Sequence, residues 1–163
     1  MKTAKYIGVG AVALAAAALM VAPASSHHSF AMYDDAQTLV FTGVVVTVIP
    51  DANHLRIEFA VLNEERNALV AGENGQPLIW NVEMGGASAM ANEGITVNGM
   101  PRGTIFSVGL NPLRSGLPAG SRVGGLFSCP ANTPPAPGAH CDSVAGNVEH
   151  GDDGPLATPT GPA

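Results

Sequence analysis

Residues 38–49 read TLVFTGVVVTVI, and no other segment restricts the fold as strongly. β-Branched side chains dominate it; they crowd a helical backbone but suit a pleated strand. Apolar residues fall at odd and even positions alike, so the segment is expected to be a long strand buried on both faces. Gly43 interrupts it where a bend or bulge would let the strand curl around a barrel. Pro50-Asp51-Ala52-Asn53 ends it as a turn.

The following segments repeat the theme with clearer alternation. In HLRIEFAVL (54–62), Leu55, Ile57, Phe59 and Val61 face one way, and His54, Arg56 and Glu58 face the other. That is the pattern of a half-exposed strand. A polar stretch follows, with Asn74-Gly75 as a tight-turn signal. PLIWNVEM then places Leu78, Trp80, Val82 and Met84 inward and Asn81 and Glu83 outward. After Gly85-Gly86, ASAMANE (87–93) suits about two helical turns stopped by Gly94. TIFSVGL (104–110) is a fourth strand with Phe106, Val108 and Leu110 inward, and SRVGGLFS (121–128) a fifth, weakened by glycine.

Five strands with one short helix between the third and fourth predict an all-β chain folded as an OB-like barrel; a small sandwich is the alternative. The domain limits follow: 27–129 for the barrel, and 130–163 for a Pro/Gly-rich, patternless tail expected to be loosely ordered, with His140 and His150 exposed. Cys129 and Cys141 form an even pair. In an exported chain they are expected to be disulfide-bonded, closing a short loop for about 3 kcal/mol.

Export is read from the front end. Lys2 and Lys5, an apolar run from Ile7 to Val21, and small residues at Ala22, Ala24, Ser25 and Ser26 describe a signal peptide over 1–26. The apolar run is shorter than the ~20 residues of a spanning helix, so no membrane anchor is expected after cleavage. Cleavage after Ala24 leaves Ser25 first, and cleavage after Ser26 leaves His27 first. Either way the location is periplasmic or extracellular. Without that segment the chain keeps five arginines and no lysine against 13 acidic residues. Phosphate backbones need a basic face, so nucleic acid is excluded as a partner. The expected ligand is a metal ion or small molecule, and the expected state is a monomer.

The chain resembles a family of exported bacterial proteins with a domain of unknown function. The residues that carry the likeness are His27-His28-Ser29-Phe30, Gly43-Val44, Asn53-His54, Trp80-Asn81-Val82-Glu83 and Pro112-Leu113-Arg114-Ser115-Gly116. The match runs from about residue 27 to 127, with the cysteine-bearing tail standing apart from it. The resemblance implies export and a small β-barrel, and no established activity.

The leading histidines supply the specific chemistry. If His27 is the first residue of the exported chain, its α-amine and its ring nitrogen can chelate one metal ion together. This arrangement resembles the histidine brace of exported copper proteins. Such a nitrogen set suits copper(II). His28 and His54 are the candidate further ligands, and Asp51 and Glu83 the candidates to orient a ring nitrogen from behind. The methionines outside the leader do not cluster in sequence, which gives thioether ligation little support. No nucleophile elbow, zinc-protease, P-loop or dinucleotide motif is present, and no catalytic residue is assigned. Three function classes follow: a non-enzymatic binding module, a copper-dependent redox enzyme built on the same site, and a structural or interaction domain of the cell envelope.

Overall fold

The β-branched run produces the longest strand, β1 (Leu39–Ile49). The computed structural model describes residues 30–161, and the expected signal peptide, His27 and His28 lie outside them. After a 3-10 turn at Phe30–Met32 and β1 come β2 (Arg56–Val61), β3 (Ile79–Glu83), α1 (Ala87–Asn92), β4 (Ile105–Pro112), β5 (Ala119–Ser128) and β6 (Val148–His150). The sheet order is β3-β2-β1-β4-β5-β6, and a parallel β3–β5 pairing closes the first five strands into a barrel. The expected OB-like architecture is therefore present, with the helix between β3 and β4 and one strand added.

The alternation in β2 and β4 is realised as burial. Ile57, Phe59, Phe106, Val108 and Leu110 are fully enclosed, joined by Val82 and Leu126. Phe59 and Phe106 meet edge to face at 5.2 Å, a favoured aromatic geometry. Trp80 and Leu78 are only half-buried, and Trp80 packs against Phe41 at 4.7 Å at the margin of the core.

Gly43 acts differently from the expectation. The register shift in β1 falls between Val45 and Thr47, not at Gly43. Gly43 pairs with both Val61 and Phe106, and a Cβ there would lie 2.5 Å from Phe59 Cδ2 and 2.8 Å from the Ala60 carbonyl oxygen. Its absent side chain makes room for the core aromatic.

The tail also departs from the expectation of loose order. Cys129 and Cys141, 12 residues apart, are disulfide-bonded. β6 pairs with the end of β5, and single bridges join Leu156 to Gly124 and Thr160 to Thr38. The glycines that weaken β5 on paper receive this tail. Gly124 has φ +68°, Gly125 N–H donates to the Pro155 carbonyl at 2.9 Å, and a Cβ on Gly125 would collide with the Gly154 carbonyl oxygen. Backbone contacts of this kind leave no hydrophobic period in the sequence. Among the described residues no helix is long and apolar enough to cross a membrane.

Candidate functional site

His54 sits in the turn between β1 and β2. The Asp51 carboxylate organises that turn, accepting from the Asn53 N–H at 3.0 Å and the His54 N–H at 3.5 Å. These two bonds, Asn53 first, hold the Asp51 carboxyl below its ordinary range. Asp51 therefore positions the backbone of His54 rather than its ring. The ring belongs to Glu83, the last residue of β3. His54 Nδ1 lies 3.4 Å from Glu83 Oε1, with both side chains part-exposed. Pairing of Arg56 with Glu83 in the β2–β3 ladder sets this diagonal contact. Nε2, on the other side of the ring, takes no part in it.

Glu83 has a second neighbour that sequence reasoning missed. Tyr33 of the N-terminal arm is buried, and its phenol is pushed up to about 12, first by burial and then by the charge and hydrogen bond of Glu83. The arm is held there by its backbone: Asp34 N–H donates to the Pro112 carbonyl at 2.8 Å, and Arg114 N–H to the Met32 carbonyl at 2.9 Å. Arg114 also reaches Asp34 and Asp35, each at 3.3 Å. Nothing in the local pattern around Tyr33 marks it, because its partners stand on β3 and the β4–β5 connection.

Glu83 thus divides two clefts at one end of the barrel. The first, about 340 Å³, is lined by His54, Glu83, Met84, Met90, Arg122 and Asp153 among others. The second, about 210 Å³, is lined by Tyr33, Arg56, Asn81 and Glu83 with Met32 at its edge. Asn81 Oδ1 is buried and has no hydrogen-bond partner among the described residues.

Arg122 is not a free cation for an anionic ligand. It contacts Glu93 Oε2 at 2.7 Å, Asp153 Oδ2 at 2.8 Å, the His150 carbonyl at 2.8 Å and the Gly124 carbonyl at 3.2 Å. It fastens the tail to β5 and α1. His150, expected to be exposed, is buried. Its Nδ1 faces the Glu93 carbonyl at 3.1 Å, which can only accept, so Nδ1 carries the proton and Nε2 accepts from the Ser128 hydroxyl at 3.0 Å. His140 is likewise half-buried, with Nδ1 2.8 Å from Thr42 Oγ1, which in turn lies 2.8 Å from Ser107 Oγ. Both hydroxyls are buried in the fold, and this group latches the tail to β1 and β4. Burial is the leading cause that holds both imidazoles below the ordinary histidine value.

Among the described residues no three His, Cys, Asp or Glu side chains converge on one metal position. His54 is the described member of the expected ligand set, and His27 and His28 lie outside the described residues. What the structure brings together is His54, its expected partner Glu83 and the start of the arm that leads back to His28.

A family profile matches residues 13–122, which takes in β1 to β4 and the first part of β5 and leaves the disulfide and tail outside. No curated protein and no solved structure matches the chain. Most of the barrel, with His54, Glu83 and Tyr33, thus lies within the matched range, and the chain belongs to the family of unknown function DUF6152.

Proposed function

We propose that the protein is an exported binding module that takes copper(II) at the Glu83 end of the barrel. His27 supplies its amine and imidazole as the first residue of the mature chain, and His54 or His28 supplies a further imidazole. The observation that carries this reading is the position of Glu83, whose Oε1 lies 3.4 Å from His54 Nδ1 and which lines a second cleft together with Tyr33 of the N-terminal arm. A carboxylate behind an imidazole is the common support of a metal-ligating histidine, fixing the ring and raising its basicity. Tyr33 follows His27 by six residues, a short tether between the leading amine and the arm beside Glu83.

Charge and compartment agree with this reading. An acidic chain concentrates cations at its surface. The Cys129–Cys141 disulfide suits the oxidising side of a membrane, as does the signal-like character of residues 1–26.

Copper(II) titration of the exported protein and of its His54→Ala and Glu83→Gln variants tests the proposal. Wild type is expected to bind an equimolar amount of copper(II). Glu83→Gln, which keeps the shape but weakens the support of the ring, is expected to lose roughly tenfold or more in affinity. His54→Ala is expected to lose more than Glu83→Gln. Unchanged affinity in both variants would overturn the assignment of this cleft.

A further inference from the structure

Two thioethers that stand apart in sequence meet in the fold. Met84 follows β3, Met90 lies on α1, and both line the same cleft as His54. Met90 is the one buried residue of α1, a helix of 6 residues. The turn that carries His54 also seats this helix: Ala87 N–H donates to the Asp51 carbonyl at 2.9 Å, and Gly86 passes close against the Ala52 carbonyl. Gly85 leaves its own space to Met90, because a Cβ there would lie 3.2 Å from Met90 Cε. Leu55, next to His54, is hydrogen-bonded to Gly85 and Met84, each at 3.0 Å. One short stretch of backbone therefore holds His54, Met84 and Met90 around the same cleft.

The chemistry of that set differs from that of the leading amine. Thioethers are soft, neutral ligands that select copper(I), and an imidazole nitrogen suits copper in either oxidation state. Glu83 engages Nδ1 of His54 and leaves Nε2 for a metal. We infer that the cleft binds copper(I) through His54 Nε2 and the sulfurs of Met84 and Met90, without the N-terminal arm. The inference rests on the reading of His54 as a metal ligand and extends that site to the reduced ion. Met84 and Met90 also belong to the core cluster, so the alternative is that their sulfurs only fill space.

Anaerobic competition for copper(I) against a chromophoric copper(I) chelator separates the two. Wild type is expected to withdraw an equimolar amount of copper(I) from the chelator. The Met84→Leu/Met90→Leu double variant keeps core volume and is expected to fold. It should lose at least the roughly tenfold in copper(I) affinity that even an outer-sphere change costs, and keep its copper(II) affinity. His27→Ala should show the converse: copper(I) retained and copper(II) weakened. If His27→Ala leaves copper(II) uptake unchanged while copper(I) binding stands, the brace fails and this inference survives. No copper(I) uptake by wild type, or equal uptake by the double variant, overturns it. X-ray absorption on copper(I)-loaded wild type, which needs no variant, should show sulfur in the first shell; nitrogen and oxygen alone would also overturn it.

Discussion

Replacing Cys129 and Cys141 by alanine together should destabilise the whole protein, not only its tail. The two residues are 12 apart, and the loop-entropy relation for that separation gives about 2.8 kcal/mol. Both positions are buried, so the missing sulfurs leave a void worth about 1 kcal/mol more. The loss spreads because the tail is joined to the barrel at several further points. His140 meets Thr42 of β1, Cys141 N–H donates to Ser107 Oγ of β4, and Arg122 of β5 holds Asp153. A total near 4 kcal/mol in a chain of this size lowers Tm by roughly 10–20 °C. Thermal unfolding followed by circular dichroism, with limited proteolysis alongside, measures it. A Tm within about 2 °C of wild type, with the tail now cleaved by protease, would refute the idea that tail and barrel unfold as one unit.

Two further perturbations probe the packing and the buried imidazoles. Gly43→Ala places a methyl 2.5 Å from Phe59 Cδ2 and 2.8 Å from a backbone oxygen that cannot swing away, so denaturant unfolding should show a loss of about 1–3 kcal/mol, and unchanged stability would contradict the close approach. His140 and His150 both resist protonation in the fold, chiefly through burial. The unfolded chain takes up those protons as pH falls through the ordinary value of 6.5, so stability is full above that pH and declines below it. His150→Gln should flatten that decline, and a wild-type stability that stays level from about pH 7 to about pH 5 would contradict it.

The barrel was largely legible in the sequence because its signals are local. Alternation over Leu55, Ile57, Phe59 and Val61 needs no knowledge of the partner strand, and all four are buried. The stop at Gly94 is likewise local, and its φ of +76° is the conformation that glycine favours at a helix end. The tail was illegible for the opposite reason. β6 is only three residues long, and a mate on β5, a bulge at Gly124-Gly125 and the Ser128–His150 contact hold it, all of them distant in sequence. Polar burial of His150 leaves no periodic trace, and glycines that admit a crossing chain look the same as glycines that weaken a strand. At the candidate site, the His54–Glu83 pair was within reach of sequence reasoning because both stand at strand ends. Tyr33 and the Met84–Met90 meeting depend on how the arm and α1 cross the barrel end, and only the fold shows that.

The most direct test is intact-mass measurement, under native conditions, of the exported protein equilibrated with copper(II). The account predicts a polypeptide that begins at His27 and carries an equimolar amount of copper. A chain that begins at Ser25, or one that begins at His27 and retains no copper, would contradict it.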